Sequence, residues 1–308
     1  MLVPGSGSLV KMVVLGGFAA TAAYVHCRGR VRHGFARQLT DHSTFLAPVN
    51  ALFYLCSRVP NRPFLELNDL PELAVLTARW RVIRDEGLRL LDEGFVRAAA
   101  GYTDLGFNSF FRTGWKRFYL KWYGEALPSA ERLCPETVRL LREVPSIHGA
   151  MFALLPPGAR LVRHRDPFAG SLRYHLGLST PNSDDCYIEV DGIRRGWRDG
   201  EALIFDETFI HHAENRTDQT RLILFCDVDR PLRGALPRVI SRFIVNHVVK
   251  ATATENVPGD GIGVANRLFA GIYRARLLAK RLKAWDRRVY YGLKYAVVGA
   301  TLAAIILR

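Results

Sequence analysis

The chain has 308 residues, 49% of them hydrophobic, and a formal net charge of +14. This length is enough for one large domain, alone or with flanking helices, and the basic excess leaves nucleic acid, anionic lipid and phosphorylated glycolipid open as partners. The five cysteines argue against a disulfide framework and a Cys-x-x-Cys zinc site, since they are odd in number and scattered: Cys27, Cys56, Cys134, Cys186 and Cys226.

The first predicted element is an apolar N-terminal segment. Apart from Lys11, residues 9 to 26 are apolar or nearly so, which is just long enough to cross a bilayer if Lys11 reaches the surface. A signal peptide is the competing interpretation, but its charges should precede the apolar run. Here the charges follow it, at Arg28, Arg30, Arg32 and Arg37. We therefore predict a membrane anchor over residues 1–27 and, by the positive-inside rule, a cytoplasmic protein body.

Residues 28–148 are predicted to form a membrane-proximal and helical support region. Prolines interrupt the chain after an amphipathic stretch that ends near residue 58, and a helical pattern then runs from Pro71 to Leu91. A second helical pattern follows Pro135.

The pattern changes to short strands at about Gly149. Turn signals then recur at close intervals, which favours an antiparallel β-barrel or jelly roll over residues 149–235. Two of its strands are clear, a buried one at Ala202 to Phe205 and another at Arg221 to Val228. The fold class predicted is a mostly β core with N-terminal helices and apolar, membrane-associated termini.

A candidate metal site lies within this core. His164 and Asp166 are two apart and would point the same way from an extended segment, so both can bind one metal. A sheet closed on itself would bring His211 to the same place. Two imidazoles and one carboxylate form the facial triad of non-haem Fe(II) oxygenases, which leaves coordination positions for a 2-oxo acid and dioxygen. Arg221, at the start of a later strand, can bind the far carboxylate of a dicarboxylate through two parallel hydrogen bonds.

The C-terminal part is basic and apolar in turn. Residues 236–289 include a basic helical pattern from Arg274 to Arg288, typical of a helix on an anionic membrane surface, although a solvated helix packed on its own domain would look similar. Residues 290–308 are predicted to be membrane-associated, as a second span or a shallow dip.

Residues 145 to 230 resemble the aspartyl/asparaginyl β-hydroxylase superfamily of Fe(II)- and 2-oxoglutarate-dependent dioxygenases. The matching segments are His164-Arg-Asp-Pro-Phe-Ala-Gly-Ser-Leu-Arg-Tyr-His-Leu-Gly-Leu178, Trp197-Arg-Asp-Gly-Glu-Ala-Leu-Ile-Phe-Asp206 and Arg221-Leu-Ile-Leu-Phe-Cys-Asp-Val228. The resemblance implies a cupin-like double-stranded β-helix, iron ligation by His164 and His211, and binding of the 2-oxoglutarate carboxylate by Arg221. It also implies that Arg173 and His175 help to hold this co-substrate. The strand pattern agrees, because Ser171, Arg173 and His175 share one face.

Two departures from the animal peptide hydroxylases bear on the substrate. Those enzymes have a glycine where this chain has Asp166, so we expect a three-residue ligand set of His164, Asp166 and His211. They also place a serine against the co-substrate where Ala153 aligns here. A peptide aspartyl/asparaginyl β-hydroxylase is therefore the alternative and not the first interpretation.

The chain also resembles the bacterial lipid A 2-hydroxylases, membrane-bound members of the same superfamily. Similar segments are Arg28 to Asn50, Trp115-Lys-Arg-Phe-Tyr-Leu-Lys-Trp-Tyr-Gly124 and Leu154-Leu-Pro-Pro-Gly158. This resemblance implies hydroxylation at the α-carbon of a secondary acyl chain of lipid A or a precursor, with dioxygen as oxidant, at the cytoplasmic side of the anionic inner membrane. A non-catalytic cupin-like lipid-binding module and a nucleic-acid-binding protein are less favoured, the second because the positive charge flanks apolar ends and forms no aromatic and basic groove.

Overall fold

The computed structural model describes residues 6–98, 104, 107, 110–293 and 296, with side chains from residue 10. In the described part of the chain, ten strands form two antiparallel sheets. Their bounds are β1 Phe64–Leu65, β2 Lys116–Trp122, β3 Ile147–Leu155, β4 Arg160–His164, β5 Ser171–Ser179, β6 Cys186–Val190, β7 Ile193–Gly196, β8 Ala202–Phe205, β9 His211–Asn215 and β10 Arg221–Asp229. The order of the larger sheet is β1-β8-β5-β10-β3-β2, and that of the smaller sheet is β4-β9-β6-β7.

These two sheets confirm the predicted jelly-roll core. The predicted strand at Ala202 to Phe205 is β8, and the one that opens at Arg221 is β10. The long strands β3, β5 and β10 at the centre of the larger sheet are buried almost throughout, because both of their faces are covered. The larger sheet also includes β1 and β2, which precede Gly149, so the sheet draws on the predicted support region as well.

Local sequence sets the tight turns of the smaller sheet. Val190 pairs with Ile193, so β6 and β7 are joined by the two residues Asp191 and Gly192. Both have positive φ, 52° and 83°, which is the geometry of a type I′ hairpin turn. A glycine at the second position adopts this backbone without strain.

The helices are α1 Ser6–Cys27, α2 Phe35–Leu39, α3 His42–Phe45, α4 Ala47–Cys56, α5 Ala74–Ala78, α6 Trp80–Asp92, α7 Pro128–Leu133, α8 Pro135–Arg142, α9 Ala235–Ile244 and α10 Val264–Trp285. The helix predicted after Pro135 is α8. The pattern from Pro71 to Leu91 gives two helices and not one, because Arg79 leaves the helical region with φ −108° and ψ 20°. Helix α6 packs on the larger sheet, where Gly87 meets the Phe152 ring.

The termini agree in part with the predicted membrane segments. Residues Val10–Cys27 of α1 are long and apolar enough to cross a membrane, and they are almost entirely exposed. The basic C-terminal pattern is helical, but the helix α10 begins earlier, at Val264. Residues 290–293 are helical as well, whereas most of the predicted C-terminal membrane segment, at 294, 295 and 297–308, lies outside the described residues.

Candidate metal and co-substrate site

The three predicted metal ligands meet at one end of the smaller sheet. His164 ends β4 and pairs directly with His211, which begins β9. Their ring centroids are 4.3 Å apart. One potential ligand atom from each of His164, Asp166 and His211 lies within 4.8 Å of the other two. The structure therefore brings the three predicted side chains together, and their role as metal ligands stays a prediction.

Backbone carbonyls orient both imidazoles for ligation. Nδ1 of His164 lies 2.7 Å from the Val162 carbonyl, and Nδ1 of His211 lies 2.9 Å from the Phe209 carbonyl. A carbonyl can only accept, so each Nδ1 carries the hydrogen and each Nε2 keeps its lone pair for a metal. Burial, and then the neighbouring His164, lowers the pKa of His211 to about 3, which keeps that imidazole neutral at pH 7.

Arg173 holds the third ligand. Its Nη2 donates to Oδ2 of Asp166 at 2.5 Å, and the same guanidinium pairs with Glu207 and, at 3.1 Å, with Asp227. Burial opposes ionisation of Asp166, but the positive charge of Arg173 outweighs it, so the pKa of the carboxyl is lowered. Asp166 is thus an ionised carboxylate with a fixed orientation.

This arrangement bears on the role predicted for Arg173. Its guanidinium already contacts three protein carboxylates and lies 3.9 Å from the centroid of the Phe225 ring. Glu207 is itself fixed, since it accepts a hydrogen bond of 2.5 Å from Ser171. The geometry suits Arg173 to positioning the metal ligand, while its predicted contact with the co-substrate stays a prediction.

Arg221 differs from Arg173 in having no counter-ion among the residues that the structure describes. It is 2% exposed and lies 4.3 Å from the centroid of the Trp197 ring. Its Nε has no hydrogen-bond partner, and no carboxylate among residues 110–293 or in the described N-terminal part pairs with its guanidinium. Burial lowers the pKa of Arg221 to about 10, which still leaves it charged at pH 7. A buried cation without a protein partner suits an anionic ligand.

His175 supplies a second free polar atom beside it. Its Nδ1 accepts a hydrogen bond of 3.4 Å from Nε1 of Trp197, so its hydrogen resides on Nε2, which is buried and unpaired. Burial, followed by the charges of Arg221 and Arg173, holds the pKa of His175 well below its usual range. A neutral imidazole N–H and a guanidinium together can bind one carboxylate.

Sequence reasoning did not assign a role to several residues that hold the site together. Trp197 lies under Arg221, and the carboxylates of Glu207 and Asp227 fix Arg173. Trp197 and Asp227 lie within the segments that resemble the superfamily, and this position was the sequence signal that could have identified them. Glu207 follows directly on the second of these segments but has no pattern of its own.

A buried polar cluster connects the site to the end of α1. Asp206 accepts hydrogen bonds from Arg28 and, at 2.7 Å, from Arg230. Thr208 accepts from Arg28 and from the Tyr54 hydroxyl, each at 2.8 Å. Residues 206–209 form the turn that leads into His211, so α1 is tied to the segment that carries a predicted ligand.

A sequence model of the aspartyl/asparaginyl β-hydroxylase family matches residues 77–231, which include the predicted triad and Arg221. The chain belongs to this family. This family member is 41% identical over 123 residues to an ornithine lipid ester-linked acyl 2-hydroxylase of Rhizobium tropici. The alignment covers 40% of this chain and 44% of that protein. It is 30% identical over 161 residues to the human aspartyl/asparaginyl β-hydroxylase, covering 51% of the chain and 21% of the human protein.

The chain thus spans less than half the length of these curated relatives. Human aspartate β-hydroxylase domain-containing protein 2 is 34% identical over 139 residues, with 42% of this family member and 37% of the human protein covered. Among solved structures, a prolyl-4-hydroxylase of Pseudomonas putida aligns with a TM-score of 0.34 and 20% identity, over 49% of this chain and 86% of that one.

Proposed function

We propose that this chain is an Fe(II)- and 2-oxoglutarate-dependent dioxygenase that hydroxylates the α-carbon of a secondary fatty acyl chain of lipid A or a precursor. One observation carries the proposal: a His-Asp-His cluster with free Nε2 atoms shares the barrel with a buried, unpaired arginine. The cluster fits an iron ion, and the arginine fits the distal carboxylate of a dicarboxylic co-substrate.

The side chains have separate tasks in this proposal. His164, Asp166 and His211 would hold the iron, which when bound would supply the power to activate dioxygen with 2-oxoglutarate as reductant. Arg221 would bind the distal carboxylate of 2-oxoglutarate, helped by the Nε2–H group of His175. Arg173 would keep Asp166 ionised and oriented. The ring centroid of Phe110 lies 5.0 Å from that of His164, so this half-buried ring would cover one side of the metal.

The choice of an acyl lipid is supported by two independent features. A relative at 41% identity is named for 2-hydroxylation of an ester-linked acyl chain, and α1 of this chain is a candidate membrane span. The arginines that follow α1 support an inner-membrane location with the catalytic domain in the cytoplasm, where ferrous iron and 2-oxoglutarate are available. We propose lipid A and not ornithine lipid as the substrate, because the segments Arg28 to Asn50 and Trp115 to Gly124 resemble those of the lipid A 2-hydroxylases.

The second candidate is a peptide aspartyl/asparaginyl β-hydroxylase. The 30% identity with the human enzyme favours it. A peptide substrate gives no reason for an apolar helix whose end is tied to the site through Arg28.

Mass spectrometry of lipids tests the proposal directly. A bacterium that lacks the modification would express the chain or its His164→Ala variant, and lipid A and ornithine lipids would both be analysed. One added oxygen on a secondary acyl chain of lipid A, with the unaltered chain only, is expected. Added oxygen on ornithine lipid alone would replace the substrate, and neither product despite 2-oxoglutarate turnover would favour the peptide hydroxylase.

A further inference from the structure

Helix α9 presents an apolar face to solvent. Leu236, Val239 and Phe243 are 64%, 61% and 61% exposed, and their spacing places them on one side of the helix. Ile240 and Ile244 lie beside this face and are partly buried against the cluster that contains Val25, Phe53, Tyr54, Leu232 and Val245. The apolar face of α9 is therefore only partly covered by the protein: Ile240 and Ile244 pack on the cluster, and Leu236, Val239 and Phe243 extend that face into solvent.

The same cluster joins α9 to the helices around the end of α1. Val25 lies in the last part of α1, and Phe53 and Tyr54 belong to α4. Exposed apolar side chains recur on the outer faces of these neighbours. Together with those of α9 they are named here the apolar rim: Phe35, Leu39, Phe45, Leu55, Leu236, Val239, Phe243 and Val248.

The exposed charge around the apolar rim is mainly positive. Residues 28–40, which follow α1, contain three exposed arginines besides Arg28, whose side chain is buried, and the one nearby acidic residue, Asp41, lies 3.6 Å from His33. Residues 230–254, which include α9, contain three exposed arginines and one exposed lysine besides the buried Arg230, without Asp or Glu. Apolar side chains between basic ones are typical of helices that lie in the headgroup region of an anionic bilayer. The candidate span α1 ends in the cluster beneath the rim, so the nearest apolar phase is a membrane and not a protein partner.

The rim helices also hold the segment that carries the predicted ligands. Nη2 of Arg37 in α2 donates to the Arg163 carbonyl at 3.1 Å, and Nε2 of His42 in α3 lies 2.8 Å from the Arg165 carbonyl. In α4, Asn50 donates to the Pro167 carbonyl and accepts from the Ala169 amide, each at 2.9 Å. The position of the rim and the position of His164 and Asp166 are thus fixed to each other.

We propose that the apolar rim is a second membrane contact, distinct from the α1 span, that docks in the headgroup region of an anionic bilayer and holds the metal site at its surface. An acyl chain could then reach His164 and Asp166 from the bilayer without crossing water. The inference rests on the proposed membrane location but not on which lipid is hydroxylated.

Depth measurements with spin labels test the docking. Cys27→Ser and Cys56→Ser remove the two cysteines that are not buried, and labels are then attached at Val14→Cys in α1, Val239→Cys in α9 or Gln219→Cys. Gln219 is exposed in the turn after β9. His211 begins β9, so Gln219 follows the other end of that strand. The full chain is reconstituted in vesicles of phosphatidylglycerol and phosphatidylethanolamine, and collisions with oxygen and with a water-soluble nickel chelate are compared.

The three positions separate the possible results. Oxygen-rich collisions at 14 and 239, with nickel-rich collisions at 219, are expected. If the label at 239 behaves like that at 219 while 14 remains oxygen-rich, the docking surface is wrong and the membrane location stands. If 14 is also aqueous, the membrane location fails and the docking surface fails with it.

Matched charge substitutions test the consequence for the reaction. Val239→Glu places a charge in the rim, and Gln219→Glu adds the same charge on the remote turn. Val239→Glu should reduce hydroxylated lipid by about tenfold, the scale of losing one buried apolar side chain. Gln219→Glu should leave the product unchanged, and equal yields from the two variants would overturn the proposal.

Discussion

Replacing Arg221 with methionine should stabilise the ligand-free protein while abolishing its binding of 2-oxoglutarate. Burial lowers the pKa of Arg221 to about 10, which corresponds to about 3 kcal/mol of destabilisation by the charge. The Trp197 ring recovers about 1 to 2 kcal/mol of this through its contact with the guanidinium. Arg221→Met should therefore raise the free energy of unfolding by about 1 to 2 kcal/mol, or the unfolding midpoint by a few degrees.

Arg230 provides the matched control, because it is also buried but is paired with Asp206 at 2.7 Å. Arg230→Met leaves that carboxylate with one partner fewer and should destabilise the protein by about 3 to 5 kcal/mol. Both variants would be melted at one scan rate, and 2-oxoglutarate would be titrated with Zn(II) in place of iron. Arg221→Met should weaken binding by at least about 30-fold, since a buried charge pair is lost. The reasoning is refuted if Arg221→Met destabilises the ligand-free protein as Arg230→Met does, or if it binds 2-oxoglutarate normally.

Three further predictions concern other parts of the core. Arg173→Met deprives three carboxylates of their counter-ion. It should lower the free energy of unfolding, measured with denaturant, by about 3 to 5 kcal/mol. It should also lower the affinity for Zn(II), measured by titration, by about 10- to 100-fold. The pKa of His175 is well below its usual range in the folded protein, so below about pH 6.5 only the unfolded chain binds a proton there. The free energy of unfolding should therefore fall as the pH falls. His175→Gln should make this dependence shallower by about 1.4 kcal/mol per pH unit between about pH 6 and 5. A Cβ at Gly177 would lie 2.0 Å from the Arg198 carbonyl oxygen, so Gly177→Ala should destabilise the protein by about 2 kcal/mol, and an unchanged denaturation midpoint would contradict this packing.

The sequence was sufficient for features that depend on short-range patterns. His164 and Asp166 are two residues apart, and the alternation of β5 separates Arg173 and His175 from Leu172 and Tyr174; both follow from the period of a strand. The jelly roll followed from turn spacing together with the resemblance to the superfamily. The break of the predicted long helix at Arg79 was not visible, since no proline or glycine marks it.

Contacts between distant segments had no such pattern. Arg173 has carboxylate partners from the segment after β4, from the turn before β9 and from β10, and only the folded sheet order brings these together. A strand pattern says which way a side chain points but not what it meets. For that reason Arg173 and Arg221 could not be told apart from sequence, although Arg173 contacts three carboxylates and Arg221 contacts none among the described residues.

The long-range contact of Arg28 yields the last prediction. Arg28 pairs with Asp206 and donates to Thr208, and Glu207 between them pairs with Arg173, which in turn holds Asp166. The same turn leads to His211, so a looser turn would misplace two of the three predicted ligands together.

Arg28→Met should therefore lower Zn(II) affinity by about 10-fold or more even though Arg28 lies in the membrane-proximal segment, next to the end of α1. Arg32→Met is the control, because Arg32 lies at the surface and donates to the carbonyls of its neighbours Gly29 and Cys27. Arg28→Lys separates charge from shape: a lysine keeps the ion pair with Asp206 but cannot donate to Asp206 and Thr208 in the geometry of a guanidinium. Intermediate affinity is expected for Arg28→Lys. Equal affinity of Arg28→Met and Arg32→Met would mean that the end of α1 does not support the metal site.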